Sequence, residues 1–205
     1  MSDKLKLFEQ MCEPDRRQSF FAVFEGASFR KSTLEDLYQE VSEFVLHPSV
    51  PEAIQINFDT ARNIMLYSWF VYRFMPVAEL QACSSLELAL RIKFGLEHAE
   101  HAPTLAGLLK KAIEEKLVSD IQIKTHQRIA KRREEFIQSQ RRFLEVLGQS
   151  APEPPPSDPQ GYCKILWDTF PSLRNDLAHG SNTLSPTRAF VTLEVCCDLI
   201  NQLFP

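Results

Sequence analysis

Glycine is scarce in this chain, with 6 residues among 205, whereas proline numbers 13. A sheet of many short strands needs turn glycines, so this composition favours helices and predicts an all-α fold. Long apolar runs are also lacking. The best candidate, residues 64–74, contains Arg73, ends before Pro76 and is far shorter than the ~18 residues of a membrane span. We therefore expect no membrane partner.

Paired cysteines are absent as well, because the five cysteines form no C-x-x-C motif and their number is odd. The first residues, MSDKLKLFEQ, contain no apolar stretch of the signal-peptide type. These features predict a reduced, cytoplasmic protein without disulfides. We find no Gly-rich phosphate loop, and no third ligand stands near His98 and His101. No metal and no cofactor are therefore expected.

The helix signals divide the chain into an N-terminal extension, residues 1–48, and a helical domain, residues 49–205. A capping-box spacing at Ser32 predicts a first helix running to Leu46. Two long helices, from Pro51 to about Met75 and from about Val77 to Phe94, are predicted to form a central hairpin broken at Pro76.

Shorter elements follow this hairpin. Helical patterns cover residues 104–118 and 126–147, and a Pro-rich linker follows, so residues 121–161 combine a basic helix with a linker. A helix from Gly161 should stop at Pro171, where a second short helix begins and ends near Gly180. The terminal helix is predicted from Ser185 to Phe204. The predicted fold is a helical bundle.

The segment RNDLAHG, residues 174–180, holds the best candidates for chemistry. Histidine suits proton transfer near neutral pH, and the guanidinium of arginine matches the geometry of a phosphate. Five residues along a helix separate Arg174 and His179 by about 140°. They can therefore converge only if the helix ends between them or if two copies of the chain combine. Alternatively, His179 simply ends a helix favourably against its dipole while Arg174 and Asp176 are solvated.

The same segment resembles the motif of the HEPN (higher eukaryote and prokaryote nucleotide-binding) superfamily. In that motif an Arg is followed by a polar residue and, after a short spacer, by a His; Arg174, Asn175 and His179 match it. The stretch SSLELALRIKFG, residues 84–95, is similar to the second long HEPN helix, and the motif precedes a final helix. The resemblance covers roughly residues 50–205, and residues 1–48 and 126–161 match no part of the family.

The resemblance implies a metal-independent endoribonuclease with a composite site in a homodimer, in the role of a toxin or defence effector. Arg174, Asn175 and His179 are then the catalytic residues, RNA is the substrate, and an antitoxin or a nucleotidyltransferase-like protein is a candidate partner. Asp176 has no role in the motif, and we expect it to neutralise Arg174. The alternatives are a non-catalytic HEPN module that binds nucleotide or RNA or acts as a partner subunit, and a helical adaptor in which the motif is coincidental.

Positive charge is concentrated between Ile121 and Leu144, where seven cations and two carboxylates give +5 and leave −9 on the rest of a chain of net charge −4. Such a stripe predicts salt-dependent RNA binding without base stacking, or else a solvated face that pairs with the acidic remainder. Glu87 and Arg91 are spaced as an i, i+4 pair that either stabilises its helix or braces Arg174. The proposed RNA-binding residues are Lys124, Arg128, Lys131, Arg132, Arg133, Arg141 and Arg142.

Overall fold

The computed structural model describes residues 3–99, 101, 103–149, 158–180 and 184–205. Within these ranges the chain folds mostly into α-helices and forms one small antiparallel hairpin, so the predicted all-α class is confirmed. The helices are α1 (Leu34–Ser42), α2 (Glu52–Tyr67), α3 (Phe74–Lys93), α4 (Leu105–Glu114), α5 (Lys124–Val146), α6 (Gly161–Ala178) and α7 (Pro186–Leu203). The hairpin strands are β1 (Ala22–Glu25) and β2 (Ser28–Lys31), and 3₁₀ turns span Phe8–Gln10, Arg16–Phe20 and Asp120–Gln122. None of the helices in the described ranges is both long and apolar enough to cross a bilayer.

The predicted central hairpin is formed by α2 and α3, which make the most extensive helix–helix contact in the described chain. Pro76 does not break it, because α2 already ends at Tyr67 and α3 begins at Phe74. Pro76 is the third residue of α3, where its missing N–H would have no helical partner in any case. At the other end, Gly95 has φ +67°, and the Leu96 N–H donates to Arg91 O in the arrangement of a Schellman cap.

The core is centred on α3 and α7. Along α7 the residues predicted to face inward do so: Leu193, Cys197, Ile200 and Leu203 are buried and Phe190 is partly buried. Ser185 caps α7 as predicted, since its hydroxyl accepts the Arg188 N–H.

The N-terminal residues pack against this bundle. Leu37 and Val41 of α1 belong to the same apolar cluster as the central helices. The capping box of α1 lies one residue later than predicted, with Thr33 and Asp36 in place of Ser32 and Glu35.

A single helix, α6, replaces the two short helices predicted around Pro171. Proline inside a helix costs about 3 kcal/mol because one backbone hydrogen bond is lost. Here Leu166 and Phe170 before Pro171 pack in the main apolar cluster, and Leu177 after it is also buried. That burial offsets the cost, so the helix continues. Its start is capped from a distance by Asp120, whose carboxylate accepts the N–H groups of Tyr162 and Cys163 at 2.8 Å each.

The basic helix α5 is held to the body only near its start. The Asp198 carboxylate of α7 accepts the Lys124 N–H at 2.8 Å, and Thr125 is the one buried residue of α5. Beyond its first two turns the helix leaves the bundle. The central part of the Pro-rich linker, residues 150–157, lies outside the described residues.

Candidate functional site

The motif residues occupy the exposed C-terminal end of α6. This helix does not end between Arg174 and His179, because it runs to Ala178 and His179 still has helical angles (φ −87°, ψ −2°). Only Gly180, with φ +70°, turns the chain away. The two side chains therefore keep the divergence of about 140° expected within one copy. His179, Asn175 and Asp176 are exposed, whereas Arg174 is half-buried.

Arg174 lies against α3, where it meets the pair identified from its spacing. Its Nη2 is 3.5 Å from Glu87 Oε2, while Glu87 Oε1 accepts a hydrogen bond of 2.8 Å from Arg91 Nη2. One carboxylate thus faces two guanidinium groups. The Nε atoms of Arg91 and Arg174 are both buried without a hydrogen-bond partner among the described residues. The cluster has an excess of positive charge, and the Arg174 side chain is 37% exposed, so the accessible part of its guanidinium can meet an anion.

That Asp176 neutralises Arg174 stays a prediction; the carboxylate 3.5 Å from Arg174 Nη2 belongs to Glu87. Asp176 lies near Arg188 of α7. The Glu79 hydrogen bonds raise the pKa of Arg188, burial opposes that shift, and Coulombic attraction to Glu79 and Asp176 adds to it. The acidic residue of the motif therefore belongs to a second cluster.

This second cluster was missed by sequence reasoning. Arg188 Nε and Nη2 donate to the two carboxylate oxygens of Glu79 at 2.9 and 3.0 Å, and Thr192 Oγ1 donates to Glu79 Oε1 at 3.2 Å. Glu79 is only 1% exposed, although it carries a charge. A glutamate within the apolar run VAELQACSSLELAL was the available signal, and Glu79 and Glu87 are eight residues apart on α3. Together they place one ion pair between α3 and α6, which carries the motif, and one between α3 and α7, which follows it.

The proposed RNA-binding residues divide into two groups. Arg128 is paired with Glu194 of α7: Arg128 Nη1 donates to Glu194 Oε1 at 2.6 Å, and Nη2 also contacts Glu194 Oε2. Thr125 Oγ1 donates to the same carboxylate. Arg128 therefore anchors α5. The other six are exposed along α5: Lys124, Lys131, Arg132, Arg133, Arg141 and Arg142.

Phe136 and Phe143 correct the expectation that this segment offers nothing for base stacking. They lie among the cations of α5 and are 61% and 65% exposed. Their positions in the sequence already place them among the cations of the basic stripe.

The described residues contain no cluster of three or more His, Cys, Asp or Glu side chains arranged for a metal ion. His98 and His101 lie between α3 and α4 and outside both helices. Cys196 and Cys197 are buried in α7, and burial raises the pKa of both thiols.

Comparison with known proteins adds no relative to this picture: no family model, no curated protein and no solved structure matches the chain. The likeness to the HEPN superfamily consequently depends on the RNDLAHG motif and the order of the helices around it.

Proposed function

We propose that this protein is a metal-independent endoribonuclease of the HEPN type, acting as a toxin or defence effector through a site shared by two copies. The observation that carries the proposal is the setting of Arg174. Its guanidinium shares one carboxylate with Arg91, has an unused Nε–H, and belongs to the same exposed helix end as His179. The exposed part of the Arg174 guanidinium can pair with an RNA phosphate, whose charge balances the second cation of this cluster.

The chemistry follows from these side chains. His179 of one copy takes the proton of a ribose 2′-OH, and the 2′-oxygen attacks the neighbouring phosphorus. The bond from phosphorus to the 5′-oxygen breaks, and His179 of the second copy protonates that leaving oxygen. The products are a 2′,3′-cyclic phosphate and a 5′-OH. Arg174 stabilises the charge that builds on the phosphate, with Arg91 beside it, and Asn175 orients the substrate.

Two copies are required for a geometric reason. Within one chain α6 continues past Arg174, so Arg174 and His179 diverge by about 140°. A two-fold axis near the end of α6 brings each motif to face its counterpart. The proposal has three further parts. The bundle is of the HEPN type, the protein is a homodimer, and its partner protein is an antitoxin or is nucleotidyltransferase-like.

The test is cleavage of mixed RNA by the purified protein in EDTA. We expect discrete fragments ending in 2′,3′-cyclic phosphate from the wild type and none from Arg174→Ala or His179→Ala. His98→Ala, in which the replaced histidine is also exposed, is the matched control and should cleave normally.

Two results would refute the enzyme. Cleavage that stops in EDTA and returns with Mg²⁺, or that survives in His179→Ala, means that the site is misassigned. If the protein binds RNA but does not cleave it, the alternative holds, and the protein is a non-catalytic module that binds nucleotide or RNA.

A further inference from the structure

The part of α5 beyond its anchor leaves large apolar side chains in solvent. Ile129, Phe136, Phe143 and Leu147 are 50%, 61%, 65% and 55% exposed. From Arg128 to Val146 the helix extends about 27 Å without a buried residue. A single helix in water is marginally stable, and helices are usually held by packing of an apolar face.

The apolar residues form a stripe on one face of α5. Ile129, Phe136 and Phe143 follow one another at intervals of seven residues, and Leu147 adds one turn to the same face. A coiled coil has two contact positions in each seven residues, and the second, three residues after each of the first three, holds Arg132, Ser139 and Val146 here. A second helix lying along this face would therefore meet apolar side chains in alternation with a cation and a polar side chain.

The charges beside the stripe decide which helix fits. Arg132 lies on the stripe itself between Ile129 and Phe136, and Arg133 and Arg142 lie beside the stripe; the one carboxylate in an equivalent flanking position is Glu135. In coiled coils the positions beside the seam select the partner by opposite charge. A partner helix lined with Asp and Glu is attracted by these arginines.

A second copy of α5 is a poorer partner. The helix carries seven cations and three carboxylates, which amounts to +4, so two copies repel one another. RNA would satisfy the arginines but would leave Ile129 and Leu147 in water.

We propose that the stripe formed by Ile129, Phe136, Phe143 and Leu147 is a docking site for an acidic amphipathic helix of another protein. The partner presents apolar residues at heptad spacing with Asp or Glu on either side. This surface lies on α5, apart from the motif at the end of α6, and the proposal does not depend on RNA cleavage.

The probe is a synthetic 28-residue helix with Leu at heptad positions a and d and Glu at e and g, compared with the same peptide carrying Lys at e and g. Fluorescence anisotropy should show the acidic peptide binding at least ten-fold more tightly, with an affinity that falls as salt is raised.

Two sets of variants test the apolar and the charged contributions to peptide binding separately. Phe136→Ala with Phe143→Ala, and separately Arg132→Gln with Arg133→Gln and Arg142→Gln, should each weaken binding ten-fold or more. Alanine and glutamine are good helix formers, so neither set unfolds α5, and circular dichroism verifies this. Ile56→Ala with Ile165→Ala removes exposed apolar residues from α2 and α6 and should leave binding unchanged.

Several outcomes would overturn the proposal. One is that the two peptides bind equally well or that neither of them binds. A second is a wild-type dimer in sedimentation that the Phe136→Ala/Phe143→Ala variant loses, because the occupant is then a second copy. A third is that the same variant leaves peptide binding intact but loses affinity for a single-stranded RNA oligomer, since the stripe then stacks bases.

Discussion

Glu79 and Arg188 join α3 to α7 through two hydrogen bonds of 2.9 and 3.0 Å between carboxylate and guanidinium. They are 109 residues apart in the chain. Arg188 lies in the first turn of α7, the helix that follows the motif, and Asp176 of the motif lies within Coulombic range of it. This ion pair therefore ties the start of α7 to α3.

Glu79→Ala should lower the free energy of unfolding by about 2–4 kcal/mol, because a buried carboxylate that accepts two hydrogen bonds from Arg188 and one from Thr192 is lost. Chemical denaturation measures the change. The control is Glu114→Ala, which removes an exposed pair with Lys110 at 3.8 Å and should cost less than about 1 kcal/mol. Similar effects for the two variants would show that the Glu79 pair has no structural role.

Local signals account for most of the correctly predicted fold. The end of α3 near Phe94 and the start of α7 at Ser185 were predicted because helix-end signals act within a few residues. Pro76 and Pro171 were both wrongly interpreted as breaks. Pro76 lies in the first turn of α3, where a proline is tolerated. Pro171 lies within α6, which continues past it because residues on either side of Pro171 are buried.

The candidate site was less predictable because it depends on contacts distant in sequence. The spacing of Glu87 and Arg91 was visible, but the contact of Glu87 with Arg174 depends on how α3 packs on α6. Likewise, nothing local predicts that Arg128 pairs with Glu194, although its side chain stays 54% exposed on α5.

The N-terminal segment should show a specific acid sensitivity. The hydrogen bond from Arg17 lowers the pKa of Asp15 from 3.8 to about 2, and Asp15 also accepts the Tyr72 N–H. Because the folded-state pKa is lowered, this stabilisation is present above pH ~4 and is lost as the pH falls from 4 towards 2.

Arg17→Gln should therefore cost on the order of 1–2 kcal/mol at pH 7 and progressively less below pH 4. Denaturation curves of the wild type and the variant at several pH values give this difference. Arg16→Gln replaces an exposed neighbour and should show neither effect. A wild-type advantage that does not change between pH 7 and pH 2 would contradict the assignment to Asp15.

The exposed cations of α5 should strengthen RNA binding without contributing to cleavage chemistry. Replacing Arg132, Arg133, Arg141 and Arg142 with Gln should weaken binding and flatten its dependence on salt, because fewer counterions are released. Arg128 is left in place because its ion pair with Glu194 anchors the helix. Lys110→Gln with Lys111→Gln, on α4, is the control. If affinity and salt slope stay unchanged in the α5 variant, the stripe is only a solvated face.

A homodimer with shared chemistry makes a quantitative prediction for mixed proteins. If one His179 acts as base and the other as acid, a dimer of one wild-type and one His179→Ala chain lacks one of the two groups. Random re-association of equal amounts then yields active dimers in about one quarter of cases, so activity falls to about a quarter of the wild-type value rather than half. Unfolding and refolding the two proteins together, followed by an RNA cleavage assay, measures this.

The control is co-refolding of the wild type with His98→Ala, which should preserve full activity. An activity of one half in the His179→Ala mixture would contradict the shared site, and so would sedimentation of the wild type as a monomer at micromolar concentration. We expect neither result, because Arg174 and His179 of one chain diverge on α6.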